Sequence, residues 1–140
     1  MNKYLQEIHK AKTDMARTVV IDLDGVLTDF ENCKVGCNYE GYPKTYKQLQ
    51  RDKCPLREGA QEFINNLRKK GFKIIIHTSR IPEEGFVTVK WLWRNKIHYD
   101  RIRYNKPRGI IYIDDLAHEF KNFKEAEKEI CNRSPSSQTS

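Results

Sequence analysis

The chain has 140 residues, enough for one ordinary hydrophobic core and too few for two. Its 26 Lys and Arg against 19 Asp and Glu give a formal charge of +7, a field that draws phosphorylated molecules or nucleic acid toward it. The basic residues are scattered through the chain rather than massed in a run, which supports an anionic substrate more than a nucleic-acid groove. No apolar run approaches the ~20 residues that cross a bilayer, and the opening Met-Asn-Lys-Tyr-Leu-Gln-Glu has no apolar signal core. A cytoplasmic protein without membrane contact is the expectation.

Tyr4, Leu5, Ile8, Ala11 and Met15 recur at near-helical spacing, so residues 1–17 read as an amphipathic helical extension that packs on the domain or on a partner. Then comes the stretch that organises the rest, Thr18-Val-Val-Ile-Asp-Leu-Asp-Gly-Val-Leu-Thr-Asp-Phe30. Val19, Val20, Ile21 and Leu23 form a continuous, β-branched run, the pattern of a strand buried on both faces. Asp22 and Asp24 stand at its C-terminal lip, where open parallel sheets place their ligands. Gly25 lets the chain leave the strand sharply.

Residues 31–55 show no clean period and read as a flap over that lip, a length of loop that is usually functional or disordered. Three of the four cysteines fall there, Cys33, Cys37 and Cys54, with Cys131 far downstream. Reduced thiols are the default without an export signal, and a zinc site from the first three is the minor alternative. Arg57 to Lys70 carries the apolar stripe Ala60, Phe63, Ile64 and Leu67, and Gly71 comes next as a helix stop. Lys73 to His77 repeats the opening design, an apolar strand ending in polar Thr78-Ser79-Arg80. The right-handed crossover rule then sets Thr78 level with Asp22 at one edge of a parallel sheet, while Ser79 reads as a helix cap.

Pro82, Glu83 and Glu84 open the next helix, whose Phe86, Val87, Val89, Trp91, Leu92 and Trp93 suit a core or a partner surface. Tyr99 to Tyr104 reads as a short strand. Ile110 to Ile113 reads as a further buried strand ending in Asp114 and Asp115, with Lys106-Pro107 just before it. A last helix carries Leu116, Phe120, Phe123 and Ile130, and residues 132–140 form a polar tail of disordered type.

In order, these strand ends resemble the four signatures of the haloacid dehalogenase-like (HAD) phosphohydrolases. Asp22-Leu-Asp24-Gly25-Val26 matches the first, Thr78 the second, Lys106 the third, and Asp114-Asp115 the fourth. The resemblance implies an α/β fold, a three-layer Rossmann-like parallel sheet with helices on both faces over residues 18–131, without a large cap domain. It implies Asp22 as nucleophile and Asp24 as general acid/base, the latter lending its backbone carbonyl to the metal. Thr78 and Lys106 would hold the transferring phosphoryl group. Mg2+ would be held by Asp22, Asp24, Asp114 and Asp115, whose hard oxygens suit it. A phosphate ester carries two negative charges, so a carboxylate attacks phosphorus only where cations offset them. The implied activity is phosphomonoester hydrolysis through an aspartyl-phosphate on a small sugar phosphate or related metabolite. Two other readings stand beside it, a nucleotide or nucleic-acid-end phosphatase and a catalytically silent binding module.

Overall fold

The structure is a computed structural model that describes residues 2–29, 31–32 and 53–134. Helix α1 (Lys3–Ala16) runs directly into strand β1 (Thr18–Asp22). Helix α2 (Ala60–Lys69) leads to β2 (Lys73–His77), and a 3-10 turn (Pro82–Glu84) opens into α3 (Gly85–Arg94). Strand β3 (Arg101–Arg103) and helix α4 (Phe123–Arg133) complete the set. The three strands form one parallel sheet in the order β1-β2-β3. The α/β, Rossmann-like class expected from the sequence is therefore the one observed.

Register decides which side chains reach the lip. Val19 pairs with Ile74 and Ile21 with Ile76, and Ile76 pairs onward with Ile102, so one face of the sheet is apolar throughout. Helices α2 and α3 both pack on that face. There Phe63, Ile64 and Leu67 of α2, Trp91 and Leu92 of α3, and Ala126 of α4 close the core over Ile21, Leu23, Ile74 and Ile76. Phe63 and Phe123 meet at 4.8 Å between ring centres, fixing α4 against α2. Gly71, at φ 89°, ends α2 in the left-handed conformation that its sequence position announced.

Several expectations are corrected. Val20 is 58% exposed, so β1 is buried on one face rather than both. Ile110 to Ile113 form no strand: Ile110 is fully exposed, and all four side chains face solvent. The cause lies just upstream. Asn105 takes a left-handed φ of 61°, its N–H donates to the Arg80 carbonyl at 3.0 Å, and the Lys106 N–H donates to the Thr78 carbonyl at 2.9 Å. These bonds carry the chain across the end of β2 instead of back along the sheet. Downstream, the Tyr112 hydroxyl donates to the Pro107 carbonyl and closes the segment on itself. The last helix likewise begins later than its apolar pattern suggested, at Asn122, whose side chain accepts from the Glu125 N–H at 2.8 Å. Helix α1 does not pack on the domain, since none of its residues is buried.

Cys54 is disulfide-bonded, not a reduced thiol, and its sulfur is thereby removed from any zinc thiolate set; Cys131 is free. The expectation rested on the apparent lack of an export signal, which carries no information about how sulfurs meet in space. Cys33 and Cys37, most of the flap and the tail after Ser134 lie outside the described residues. No helix among the described residues is long and apolar enough to cross a membrane.

Candidate active site

Asp22 is the last residue of β1 and pairs in register with His77, the last of β2, which in turn pairs with Arg103. Parallel partners point to one face, so Asp22, His77 and Arg103 form a row at the C-terminal lip. Thr78 comes immediately after and is fully buried, with its hydroxyl accepting from the Arg80 N–H at 3.1 Å. The backbone bond from Lys106 to the Thr78 carbonyl seats Lys106 beside this row, close enough for its charge to act on both Asp22 and His77. Its ammonium also lies 4.5 Å from the centre of the Tyr112 ring.

The two aspartates of the first signature are held by different means. Among the described residues, Asp22 accepts one hydrogen bond, from the Leu23 N–H at 2.9 Å. Burial pushes its carboxyl above the ordinary value; Lys106 pulls the other way, and the neighbouring charge of Asp24 adds to the rise. Asp24 instead receives a two-pronged grip from Arg80, with Nε to Oδ2 at 2.8 Å and Nη2 to Oδ1 at 2.7 Å. Thr28 adds a long contact to Oδ1 at 3.4 Å.

Arg80 is 0% exposed. Burial opposes its charge, but Asp24, with Glu84 behind it, outweighs that and raises its pKa above the ordinary value. Its remaining nitrogen, Nη1, donates to Thr88 Oγ1 at 3.0 Å, and that hydroxyl donates to the Glu84 carbonyl at 2.8 Å. A chain of bonds thus runs from α3 through Arg80 to Asp24. His77 is displaced downward, first by burial and then by the charges of Lys106 and Arg103, which favours the neutral imidazole.

The turn after Asp24 has its own anchor. Arg57 Nε donates to the Val26 carbonyl and Nη2 to the Gly25 carbonyl, both at 2.9 Å, while its backbone N–H donates to the Leu27 carbonyl at 2.8 Å. Gly25 has φ 87°, the conformation that turns the chain here. Arg57 in turn lies 5.2 Å from the centre of the Phe120 ring.

The structure therefore brings Asp22, Asp24, Thr78 and Lys106 to one lip. Asp114 and Asp115 stand apart on the exposed segment, where Asp114 Oδ1 accepts from the Leu116 N–H at 2.7 Å. Among the described residues no three carboxylate, histidine or cysteine side chains converge on a metal position. The donors at the lip nonetheless suit a hard cation. Arg80 occupies the Asp24 carboxylate, leaving that residue's carbonyl, and Asp22 presents a carboxylate with a single hydrogen bond. Sequence reasoning missed Arg80 and Arg57 as site residues. Arg80 had a signal, being a cation directly after Thr78-Ser79 at the strand end that faces two acids.

A parallel sheet with carboxylates, a buried arginine and a lysine gathered beyond its strand ends is the architecture of an α/β phosphohydrolase. The chain matches the family described as HAD superfamily, subfamily IIIB (acid phosphatase), over residues 1–131. It belongs to that family, and it is a phosphatase, a phosphoric monoester hydrolase.

The fold is also similar to a structural-genomics crystal structure from Vibrio cholerae, with TM-score 0.59 and 22% identity over 86% of this chain and 98% of that one. A looser match is to the Pnkp1/Rnl/Hen1 RNA repair complex, with TM-score 0.48 and 18% identity over 85% of this chain and 32% of that one. No curated protein sequence matches the chain.

Proposed function

We propose that the protein is a magnesium-dependent phosphomonoesterase that works through an aspartyl-phosphate on Asp22, with a small phosphorylated metabolite, such as a sugar phosphate, as substrate. The observation that carries this is the unequal treatment of two neighbouring carboxylates. Asp24 is fixed in place by a buried arginine that occupies both its oxygens, and its proton transfer requires one oxygen to leave that pair when substrate binds. Asp22, held by one backbone N–H, has the freedom an attacking oxygen needs.

Asp22 attacks phosphorus in line, the P–O bond to the alcohol breaks, and Asp24 protonates the departing alkoxide. Asp24 then takes a proton from the water that cleaves the acyl phosphate, returning Asp22 to a carboxylate. Lys106 and the Thr78 hydroxyl hold the equatorial phosphoryl oxygens. Mg2+ would be held by the Asp22 carboxylate and the Asp24 carbonyl. It would offset the charge that otherwise repels the nucleophile from the phosphate.

The test is hydrolysis of an aryl phosphate with Mg2+, read alongside trapping of the phosphoenzyme after acid quench. The unmodified chain turns over and labels; Asp22→Asn does neither. Asp24→Asn labels but turns over about 10²–10⁴-fold more slowly. Chelation of the metal abolishes turnover, and added Mg2+ restores it. Labelling that persists in Asp22→Asn overturns the assignment of the nucleophile.

A further inference from the structure

Helix α1 has 14 residues and buries none of them. A helix of that length is marginal in water on its own and depends on packing for stability. Tyr4 and Met15 are 69% and 67% exposed, and Leu5 and Ile8 stand beside them. The stripe cannot fold back on its own domain, because no linker separates the helix from the sheet. Thr18 Oγ1 donates to the Asp14 carbonyl at 2.7 Å, and the Lys73 N–H donates to the Arg17 carbonyl at 2.8 Å. The last turn of α1 is thus bonded into the start of the sheet, and the direction of the helix is set.

The order of residues on α1 is informative. Tyr4, Ile8, Ala11 and Met15 succeed one another at steps of four, three and four, the alternation of d and a positions in a heptad. Leu5 and Lys12 then fall at e, and Glu7 and Asp14 at g, while Gln6, His9, Lys10 and Thr13 take the outer positions. In a parallel, in-register pair, each g position meets the e position five residues further along the other helix. Glu7 therefore meets Lys12 of the second copy, and the two-fold axis makes this pair twice. An antiparallel pair instead sets g against g, bringing Glu7 onto Asp14, and sets Lys12 against Leu5. The charges favour the parallel arrangement alone.

We propose that α1 is a self-association element, a short parallel two-stranded coiled coil with a second copy of this chain. The partner is specified by the chemistry of the helix, with a narrow apolar seam flanked by charges that complement themselves under a two-fold axis. The proposal is independent of the catalytic reading, and its test requires no turnover.

Sedimentation of the full chain over a concentration series shows mass rising from one chain to two. Glu7→Lys alone sets two ammonium groups against each other across the seam, and Lys12→Glu alone sets two carboxylates against each other. Each moves the dissociation midpoint about tenfold higher. The double substitution restores the midpoint, and so does an equimolar mixture of the two single variants, since each then offers the complement of the other. Both positions are exposed, and circular dichroism of each variant confirms an unchanged fold. A chain that stays monomeric throughout overturns the proposal, as does a dimer insensitive to the single substitutions. A dimer that the single variants weaken but the double variant does not restore overturns it as well.

Discussion

Arg80 is the residue on which the geometry of the lip depends. Its side chain is taken fully out of water and repaid by a carboxylate, a threonine hydroxyl and a nearby glutamate. Replacing it with a methionine of similar length leaves Asp24 partly buried without its partner. Arg80→Met is expected to lower stability by about 3–5 kcal/mol, read by urea unfolding, and to reduce turnover. Arg80→Lys retains the charge but loses the planar fork, and falls between the two. Asp24→Asn with Arg80→Met costs less than the sum of the single changes, because the pair is coupled. Additive losses would show that the two side chains do not act together.

Asp22 presents the opposite situation. Its folded carboxyl titrates above the ordinary 3.8, so the folded state holds its proton to a higher pH than the unfolded chain does. Stability from this group is greatest at low pH and falls as pH rises from about 4 through the raised value, since in that window the unfolded state binds fewer protons. In metal-free buffer, Asp22→Asn is therefore expected to raise the melting temperature at pH 7 and to leave it nearly unchanged below pH 4. A variant that destabilises equally at both pH values would contradict the burial of this charge.

At the scale of elements, the legible parts of the chain were those whose signal is local. Strand β2 was bounded correctly by its isoleucines, and the end of α2 by Gly71, because burial and chain reversal leave their mark within a few residues; the start of α2 was set three residues early, at Arg57 rather than Ala60. The short run Ile110 to Ile113 had the same composition as a strand and is none. Periodicity cannot tell whether a strand finds a partner, and here the bonds of Asn105 and Lys106 to residues beyond β2 decide the path. The Arg80–Asp24 pair spans 56 residues of sequence, so no local pattern revealed it. Trp91 and Trp93 looked alike in the sequence, yet the first is fully buried and the second is 78% exposed.

The buried tryptophan carries its own consequence. Its Nε1–H donates to the Cys54 carbonyl at 2.7 Å, tying α3 to the segment whose Arg57 pins the turn after Asp24. Trp91→Phe removes that hydrogen bond and is expected to cost about 1 kcal/mol, with a cavity loss on top. Trp93→Phe, on the solvent side, stays within about 0.5 kcal/mol. Equal losses in denaturant unfolding would place the two rings in similar surroundings, against this structure.

For the molecule as a whole, the question is what a formal charge of +7 does for a phosphatase. Most of the excess is distributed over the surface, where salt screens it beyond about 10 Å at 0.1 M. Lys106 and Arg103 are different, since they stand at the lip and act directly on the groups there. A dianionic substrate is thus met by two superposed fields, one diffuse and screened, the other local and resistant to screening. Raising the salt from about 0.05 to about 0.3 M should weaken the diffuse field, raising KM about threefold while leaving kcat nearly unchanged. Lys106→Met should act on kcat as well as KM, and at every salt concentration, because the charge of this lysine acts directly on Asp22. A kcat that falls with salt as steeply as 1/KM would mean that the scattered charge takes part in the chemical step, and the division between a drawing field and a catalytic one would have to be abandoned.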